Sequence, residues 1–514
     1  MKKSFGFAKT AALMGIIILA AKLMGLVRDV MVAGAFGTSV YAVAYETASR
    51  LPVTIFDFVL GGVVTSAFIP VYNSIAVKEG KDKASAFAQS YTNLILLLTG
   101  IIAVLGVIFA PALVSFIAPD LAADVSELSV RLTRIMFPMV IFVGLAFTFV
   151  GFLQSEGEYN IPAVISLVSN LIMVGWLAVS GRWMDDPLTA VTGLSCAMLI
   201  GWAAQAAVQI PAVRKRGFRF RPTAPVFTPE TKRAAKNALP ILAATWTTPL
   251  CTLINTRLAS GIDGAISMLG YANRLYIIIV GLFSFVATNL LFPYFARADA
   301  AGDTGEKDRM TRTSVKVLTF IIAPISVGVA VLAEPFVSLI YENGAFDAAD
   351  TLWTANALRF YAVGMVFTAV SEVLTKAFFA AEKTKYPMIA AVVSMTFNIA
   401  VVVLIGGWLH IGGIALISGL SAAVNMLVNL IFAYRTKMIS RSLPDVLDIG
   451  KTVVSAAVMG IAVGFVYPLT SALPVIIGFA LSVLTGVIVY AVCVTLFRSE
   501  EMRAILKKLK HPSE

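Results

Sequence analysis

Long apolar runs, separated by short polar stretches, make up most of this 514-residue sequence. Fourteen such runs can be drawn, and most approach the roughly 20 residues that a helix needs to cross the hydrocarbon core of a bilayer. They lie near residues 8–33, 43–71, 88–117, 129–154, 160–181, 188–213, 236–259, 267–296, 314–341, 353–381, 387–408, 411–434, 449–469 and 474–497. The pattern predicts an all-α polytopic membrane protein with about 14 transmembrane helices.

The pattern of apolar and polar positions repeats at an offset of about 224 residues. Arg134 precedes Pro162 by 28 residues, and Arg359 precedes Pro387 by the same distance. Parallel internal repeats in a hydrophobic chain are typical of secondary transporters, whose two bundles rock about a shared central site. We therefore expect two parallel six-helix repeats followed by two C-terminal helices.

The repeats predict five segments in chain order. The N-terminal six-helix bundle covers residues 1–213, a basic cytoplasmic linker covers 214–235, and the C-terminal six-helix bundle covers 236–440. Helices 13 and 14 cover 441–497, and a cytoplasmic tail covers 498–514. Apolar positions in the tail recur on one helical face among basic residues, which predicts an amphipathic helix at the membrane interface.

Basic residues concentrate in alternate loops, and this asymmetry predicts the orientation. Residues 214–236, between spans six and seven, include eight Lys or Arg residues, and the loops after spans two, eight and twelve carry three, four and three. The loops on the other side contain acidic residues such as Asp124 and Asp347. Because Lys-rich and Arg-rich loops remain in the cytoplasm, both termini are predicted to be cytoplasmic.

Composition supports a membrane protein and narrows its partners. The chain is 59 % hydrophobic and 13 % charged, with a mean hydropathy of +0.87, whereas soluble domains contain about 25 % charged residues. The formal charge of +11 follows the predicted cytoplasmic loops, so it indicates topology and contact with anionic membrane lipids rather than nucleic-acid binding.

The first apolar run has two interpretations. Lys2-Lys3 followed by the apolar stretch from Ala11 to Ala21 resembles a signal peptide. We favour an uncleaved first transmembrane helix, because Lys22 and Arg28 continue a longer pattern of apolar sequence with embedded charges.

Local catalytic patterns do not emerge from the sequence. It contains neither a G-x-x-x-x-G-K-[ST] phosphate loop nor an H-E-x-x-H metal motif, and its three cysteines lie far apart. We therefore expect a transporter rather than an enzyme, with neither a cofactor nor a metal site.

Charged residues inside the apolar runs are the candidate binding residues. Lys22, Arg28 and Asp29 lie in span one, Arg50 lies about two turns into span two, and Arg274 lies comparably early in span eight. A charge in hydrocarbon is costly, so it normally faces an aqueous cavity or a partner. Arginine suits phosphate because its planar fork donates bidentate hydrogen bonds. A basic, phosphate-binding cavity between the halves is therefore one interpretation. The other interpretation is structural. Arg28 pairs locally with Asp29, and the arginines snorkel to the membrane interface.

A second polar group comprises Asn255, Arg257, Glu372 and Lys376. Glu372 and Lys376 are four residues apart and hence neighbours on one helical face, where they can neutralise each other. The alternative is a coupling site, in which the carboxylate binds a monovalent cation or titrates with a proton during transport.

A set of short motifs recurs along both repeats. They are Gly25-Leu26-Val27-Arg28-Asp29, Ala35-Phe36-Gly37, Leu51-Pro52, Ala67-Phe68-Ile69-Pro70, Tyr271-Ala272-Asn273-Arg274-Leu275, Leu291-Phe292-Pro293, Phe378-Phe379-Ala380-Ala381 and Thr384-Lys385-Tyr386-Pro387. Together they resemble the MurJ (MviN) family of lipid II flippases. The combination is specific and covers both repeats, whereas spans thirteen and fourteen agree in number rather than in motif.

The resemblance implies a fold and a function. The fold is that of the multidrug/oligosaccharidyl-lipid/polysaccharide exporter superfamily, in the bacterial cytoplasmic membrane. The implied substrate is lipid II, the undecaprenyl-pyrophosphate-linked peptidoglycan precursor (MurNAc-pentapeptide-GlcNAc), moved from the inner to the outer leaflet by alternating access. The family's cavity residues carry over to Arg28, Asp29 and Arg274, and Lys22 stands where a basic residue is expected earlier in span one.

Two positions depart from the family pattern. Members with a sodium site place an acidic residue in span seven where this chain has Asn255, which argues against sodium coupling. Some members carry paired arginines and a glutamate in span two near 56–61, where this chain has a single acid, Asp57.

Other functions remain open at the level of sequence. A flippase for lipid-linked O-antigen or capsule polysaccharide belongs to the same superfamily. A cation-coupled drug exporter would be expected to have an acidic or aromatic cavity rather than an arginine-lined one. A membrane scaffold without transport activity would leave the embedded arginines unexplained.

Overall fold

The computed structural model of the protein describes residues 2–61, 63–184, 186–218, 246–286, 291, 295, 304–405, 410–440, 443–470 and 472–503. Three sequence-based predictions fall wholly or partly outside these residues. They are the linker from residue 219 onward with the start of the second bundle up to 245, the tail beyond 503, and the motif at 291–293 except its first residue.

The first half of the described chain forms ten helices. They are α1 (Lys2–Phe36), α2 (Val40–Val59), α3 (Val63–Ser66), α4 (Phe68–Lys78), α5 (Lys81–Ile108), α6 (Ala110–Ile117), α7 (Ala123–Met136), α8 (Met139–Ser155), α9 (Asn160–Trp183) and α10 (Pro187–Lys215).

Ten more helices follow in the second half of the described chain. They are α11 (Thr247–Ala259), α12 (Ala265–Val286), α13 (Thr304–Val331), α14 (Ala333–Tyr341), α15 (Ala348–Val363), α16 (Met365–Ala380), α17 (Lys385–Ile405), α18 (Ile411–Arg435), α19 (Leu443–Leu469) and α20 (Val475–Leu496).

The all-α membrane prediction is confirmed, and each of the fourteen predicted runs contains helix. Among the described residues, eight helices are long and apolar enough to cross a membrane, or ten if each of two bent helix pairs counts as one span. Their apolar side chains face outward in large numbers, as expected when lipid rather than water surrounds the helices.

Breaks in the helices recur at the repeat offset. Helix α5 gives way to α6 at Phe109, and α13 gives way to α14 at Leu332. The α7–α8 pair is bent by 43° and the α15–α16 pair by 41°. The first bend has Pro138, which lacks a backbone donor and interrupts a helix. The second has Gly364, where an added Cβ would lie 2.8 Å from the Cα of Gly419. The two halves therefore have helix breaks at equivalent positions, but different residues lie at the bends.

The chain divides into two compact units. The first comprises 1–267 and 343–346, and the second comprises 268–342 and 347–514. Helix α11 belongs to the first unit, where it packs against α2 and α6. The short segment at 343–346 also belongs there, and its Ala345 N–H donates to the Gly34 carbonyl at 2.8 Å. The boundaries at 213 and 236 follow the sequence repeat, and they stay a prediction.

Each unit has its own core. In the first unit, Phe68 lies 5.2–5.5 Å from the rings of Tyr72, Phe87 and Tyr91. In the second unit, buried residues of α13, α16 and α18, including Met365 and Phe378, form one cluster. Helix α1 packs along α9 in the first unit, and this pairing places the first candidate site.

Candidate functional site

The charged pair on α1 is held by a third residue. Nε and Nη2 of Arg28 donate to the same carboxylate oxygen of Asp29, at 3.1 and 2.8 Å. Nη1 of Arg28 donates to Oδ1 of Asn170 on α9 at 2.9 Å. The Asp29 side chain is 7 % exposed and that of Arg28 is 26 % exposed. The local pair is therefore present, and it leaves the arginine partly accessible rather than sealed in the core.

Asn170 links this arginine to the backbone of its own helix. Its Nδ2 donates to the carbonyl of Ala21 at 3.3 Å, while its Oδ1 accepts from Arg28. An amide that is 7 % exposed needs such partners, because an unpaired buried polar group is costly. The guanidinium is thus oriented from two helices, and this group is called the α1 site here: Arg28, Asp29 and Asn170.

Lys22 lies half-buried on α1, six residues before Arg28. Within the described part of the chain it forms no ion pair, and it does not join the α1 site through a hydrogen bond. Residues six apart on a helix point in directions that differ by about 120°, and this explains why Lys22 does not join the α1 site.

Arg50 is paired with a buried acid one turn earlier. Its Nη2 lies 3.2 Å from Oε2 of Glu46, whose side chain is 0 % exposed, whereas that of Arg50 is 28 % exposed. Nη1 of Arg50 donates to Oγ1 of Thr256 on α11 at 3.5 Å. The pair therefore ties α2 to α11, and the charge of Arg50 is partly balanced.

Asn255 is half-buried beside Thr256, so the candidate coupling residue of α11 lies next to the partner of Arg50. Arg257 is exposed, and it lies over the ring of Phe116 at 5.7 Å and donates to the Phe116 carbonyl. Asp57 is half-buried on α2.

In the second unit, Arg274 lies on α12 beside an aromatic pair. Its guanidinium carbon is 5.8 Å from the centre of the Tyr271 ring, which in turn lies 5.2 Å from the Tyr341 ring. Both tyrosines are fully buried. Stacking of a guanidinium on an aromatic face restricts its plane and favours a directed fork of donors.

The predicted pair on α16 is also present. Nζ of Lys376 lies 3.4 Å from Oε1 of Glu372 and 6.0 Å from the centre of the Phe379 ring. The adjacent Ser371 donates to Asn425, and Asn429 donates to Ser371 at 3.2 Å. Glu372 is thus part of an ion pair beside an amide cluster. Asn255 and Arg257 belong to the first unit, whereas Glu372 and Lys376 belong to the second.

The described residues contain no group of three or more His, Cys, Asp or Glu side chains arranged to hold a metal ion. The chemistry available at these sites is electrostatic. Guanidinium groups held in fixed planes offer charge-assisted hydrogen bonds to phosphate or carboxylate groups. They have no function as nucleophiles or general acids at physiological pH.

Two polar partners were not identified from the sequence. Glu46 lies four residues before Arg50, and this helical spacing is a signal that could have found it. Asn170 lies 142 residues from Arg28, and a single asparagine in an apolar run gives no such signal.

A family model described as lipid II flippase MurJ matches residues 32–485, which is most of the chain. The chain belongs to the MurJ family. The family resemblance of the motifs in both repeats is thereby confirmed.

Relatives within the MurJ family span nearly the whole chain. A probable lipid II flippase MurJ from Rhizobium meliloti is 30% identical over 474 residues, covering 91% of this chain and 89% of that protein. A protein of the same description from Thermotoga maritima is 27% identical and covers 95% of this chain and 96% of its own length. The lipid II flippase MurJ of Burkholderia cenocepacia is 27% identical over 80% of each chain.

Solved structures share the fold. A lipid II flippase MurJ in an inward closed conformation matches with a TM-score of 0.80 at 22% identity, covering 95% of this chain and 98% of that one. A multidrug resistance MATE family transporter of the MOP superfamily, in an inward-facing conformation, matches with a TM-score of 0.66 at 14% identity, covering 83% and 98%. The chain is a multi-pass transporter of the bacterial inner membrane rather than an enzyme.

Proposed function

We propose that this MurJ family member moves lipid II from the inner to the outer leaflet by alternating access. The observation that carries the proposal is the α1 site, in which an arginine within the first apolar run of the sequence is oriented by Asp29 and Asn170 yet remains partly accessible. Charges within membrane helices are retained for function, because their cost must be offset. Family membership supplies the identity of the substrate.

The role of the α1 site follows from the chemistry of the headgroup. The pyrophosphate and the acidic groups of the peptide stem are anions, and a guanidinium held in a fixed plane binds them with little loss of side-chain entropy. Asp29 lowers the net charge of the site, so the site holds the anion without trapping it. Binding of moderate strength allows release on the other side of the membrane.

Arg274 and Lys22 are proposed to contribute further cationic contacts. Arg274 is restrained by the Tyr271 ring at 5.8 Å, and Lys22 is half-buried without an ion pair among the described residues. Arg50 contributes less, because it is already matched by Glu46 and Thr256. Its main role is to hold α11 against α2 within the first unit.

Both termini are proposed to lie in the cytoplasm. The excess of Lys and Arg in alternate loops supports this orientation, because such loops are not translocated. The same argument places Asp124 and Asp347 on the outer side.

Energy coupling is proposed to come from the membrane potential. Each elementary charge that crosses the full potential contributes about 2.3 kcal/mol per 100 mV. Glu372 is paired with Lys376, and Asn255 supplies an amide oxygen without a compensating charge, so neither favours a tight sodium site. Transport that survives loss of the potential but stops without a sodium gradient would contradict this coupling.

Depletion of the protein in its own host tests the substrate. We expect lipid II to accumulate in the inner leaflet, since its synthesis continues while its export stops. Lipid-linked precursors would be extracted and identified by mass spectrometry. Accumulation of an O-antigen or capsule precursor, with lipid II unchanged, would show that this precursor rather than lipid II is the substrate.

A further inference from the structure

One end of the second unit contains a basic pocket that is separate from the residues discussed above. Its volume is about 810 Å³, and it is lined by the ends of several helices. Four of its lining residues are cations: Lys307, Lys383, Arg435 and Lys437. This group is called the basic pocket.

Two helix ends build the pocket. Helix α18 ends at Arg435, and Lys437 then adopts a left-handed conformation with φ of 56°, which lets the Met438 N–H donate to the Ala433 carbonyl at 2.9 Å. Helix α16 ends in the same way, because Glu382 has φ of 54° and the Lys383 N–H donates to the Phe378 carbonyl at 2.9 Å. These tight turns fix the backbone that carries three of the four cations.

The negative charge in the pocket is already matched. Asp308 is its one carboxylate among the described lining residues. It lies 3.2 Å from Nε of Arg312 and accepts hydrogen bonds from the backbone N–H and hydroxyl of Ser440, at 2.6 and 2.7 Å. Within the described chain, Lys383, Arg435 and Lys437 form no ion pair. The described lining residues of the pocket therefore carry a net positive charge.

Two cations in the loops of the first unit are each paired with an acid instead. Lys81 lies 3.0 Å from Glu156, and Arg216 lies 2.6 Å from Glu158. A cation at a helix C-terminus is favourable by itself because of the helix dipole. That effect explains one cation at each helix end, but it does not explain the convergence of four on a single concave surface.

An apolar stripe on α18 leads to the basic pocket, and a second stripe lies on the neighbouring α17. On α18, Leu427 and Ile431 are 51 % and 50 % exposed, and Arg435 follows Ile431 by four residues on the same helical face. On α17, which packs beside α18, Ile389 and Val393 are 39 % and 40 % exposed above Lys385 at the start of the helix. Each helix thus presents an apolar surface that ends in a cation.

We propose that the basic pocket binds the phosphodiester headgroup of an anionic phospholipid, with its acyl chains along the stripes of α17 and α18. Basic pockets between membrane helices are suited to such headgroups, and the adjoining apolar surface favours a lipid over a soluble anion. The site does not depend on transport of lipid II. Its assignment to the inner leaflet rests on the orientation proposed above.

The test measures lipid binding by the purified full-length protein. Native mass spectrometry would count bound phosphatidylglycerol or phosphatidylcholine, and thermal unfolding in detergent would report stabilisation by each lipid and by inorganic pyrophosphate. The double variant R435Q/K437Q removes two cations from the pocket. The matched control R214Q/K215Q removes an arginine and a lysine, both exposed, from the end of α10.

We expect phosphatidylglycerol to bind the wild type and the control alike, and phosphatidylcholine to bind both weakly. The R435Q/K437Q variant should bind phosphatidylglycerol at least about tenfold more weakly, as loss of charge-assisted contacts predicts. Equal weakening in both double variants, equal binding of the two lipids, or a loss of pyrophosphate stabilisation in R435Q/K437Q as large as its loss of stabilisation by phosphatidylglycerol would overturn the proposal.

A second variant guards against misfolding. Lys437→Gly removes one cation while supplying the residue that best tolerates the left-handed conformation, so the unliganded protein should remain folded. We expect it to lose part of the stabilisation by phosphatidylglycerol. Full stabilisation in this variant would contradict a role for Lys437 in the site.

Discussion

Arg28 and Arg50 each form an ion pair with a carboxylate on their own helix, but the two pairs differ in burial and in their further contacts. The Arg28 pair includes a second acceptor on α9 and leaves the guanidinium 26 % exposed. The Arg50 pair includes an acid that is fully buried. We therefore expect changes at Arg28 to affect transport and changes at Arg50 to affect folding.

Arg28→Ala should abolish transport while leaving the protein abundant in the membrane. Loss of one charge-assisted contact weakens anion binding about tenfold to a hundredfold. Arg28→Lys should retain part of the activity, since it keeps the charge but not the fork. Asn170→Ala should lower activity less than Arg28→Ala. The activity of each variant is measured by complementation of a strain depleted of its own flippase. Arg134→Ala, which changes an exposed arginine on α7, is the control. Normal growth with Arg28→Ala would remove this residue from the mechanism.

Arg50→Ala should destabilise the first unit strongly. It removes the cation that lies 3.2 Å from the buried Glu46 carboxylate, and breaking a buried pair costs about 3–5 kcal/mol. Glu46→Gln should cost less, because Arg50 can still reach water. The double variant R50M/E46Q should recover most of the lost stability, since it removes both charges. Thermal unfolding of the purified proteins tests whether the variants follow this order of stability. A double variant as unstable as Arg50→Ala would argue against charge burial as the cause.

At the scale of helices, the bends in the two halves occur at equivalent places but have different causes. Pro138 interrupts the α7–α8 pair through its missing donor, whereas Gly364 lies at the α15–α16 bend in direct backbone contact with Gly419 of α18. The second bend therefore depends on close approach of two helices.

Gly364→Ala should destabilise the second unit. Its new Cβ would lie 2.8 Å from the Cα of Gly419 and 3.3 Å from the carbonyl oxygen of Tyr361, and backbone atoms cannot move away cheaply. Overpacking of this kind costs about 1–3 kcal/mol. Gly450→Ala in α19 is the matched control, because nothing lies within 4 Å of its new Cβ. The melting temperature should fall for the first variant only. Equal melting temperatures would show that the α16–α18 contact adjusts freely.

The helices and the local pairs could be predicted from the sequence, because both are encoded over short distances. The length of the apolar runs predicted all fourteen segments, and the four-residue spacing of Glu372 and Lys376 predicted their pairing. The breaks within runs were missed, although Pro111 in the first turn of α6 is a sequence signal for the first of them. Asn170 was missed because its partner is brought to it by packing of α1 on α9. The assignment of α11 to the first unit also follows from packing rather than from the repeat.

At the scale of the whole molecule, orientation is the first property to measure. We expect cysteines introduced at Lys215 to be protected from an impermeant reagent in intact cells, and cysteines at Asp124 and Asp347 to be labelled, after replacement of the three native cysteines. Labelling after permeabilisation is the control for accessibility. The opposite pattern would reverse the proposed direction of transport.

Outward movement of lipid II is the central claim, and its exposure in the outer leaflet is the most direct measurement. Cells depleted of their own flippase would express this chain, and an enzyme added outside would cleave the exposed lipid II. We predict that the wild type and Arg134→Ala restore cleavage, that Arg28→Ala and Arg274→Ala do not, and that Arg274→Lys restores it in part. Absence of cleavage with the wild type, although the protein reaches the membrane in normal amounts, would contradict the account.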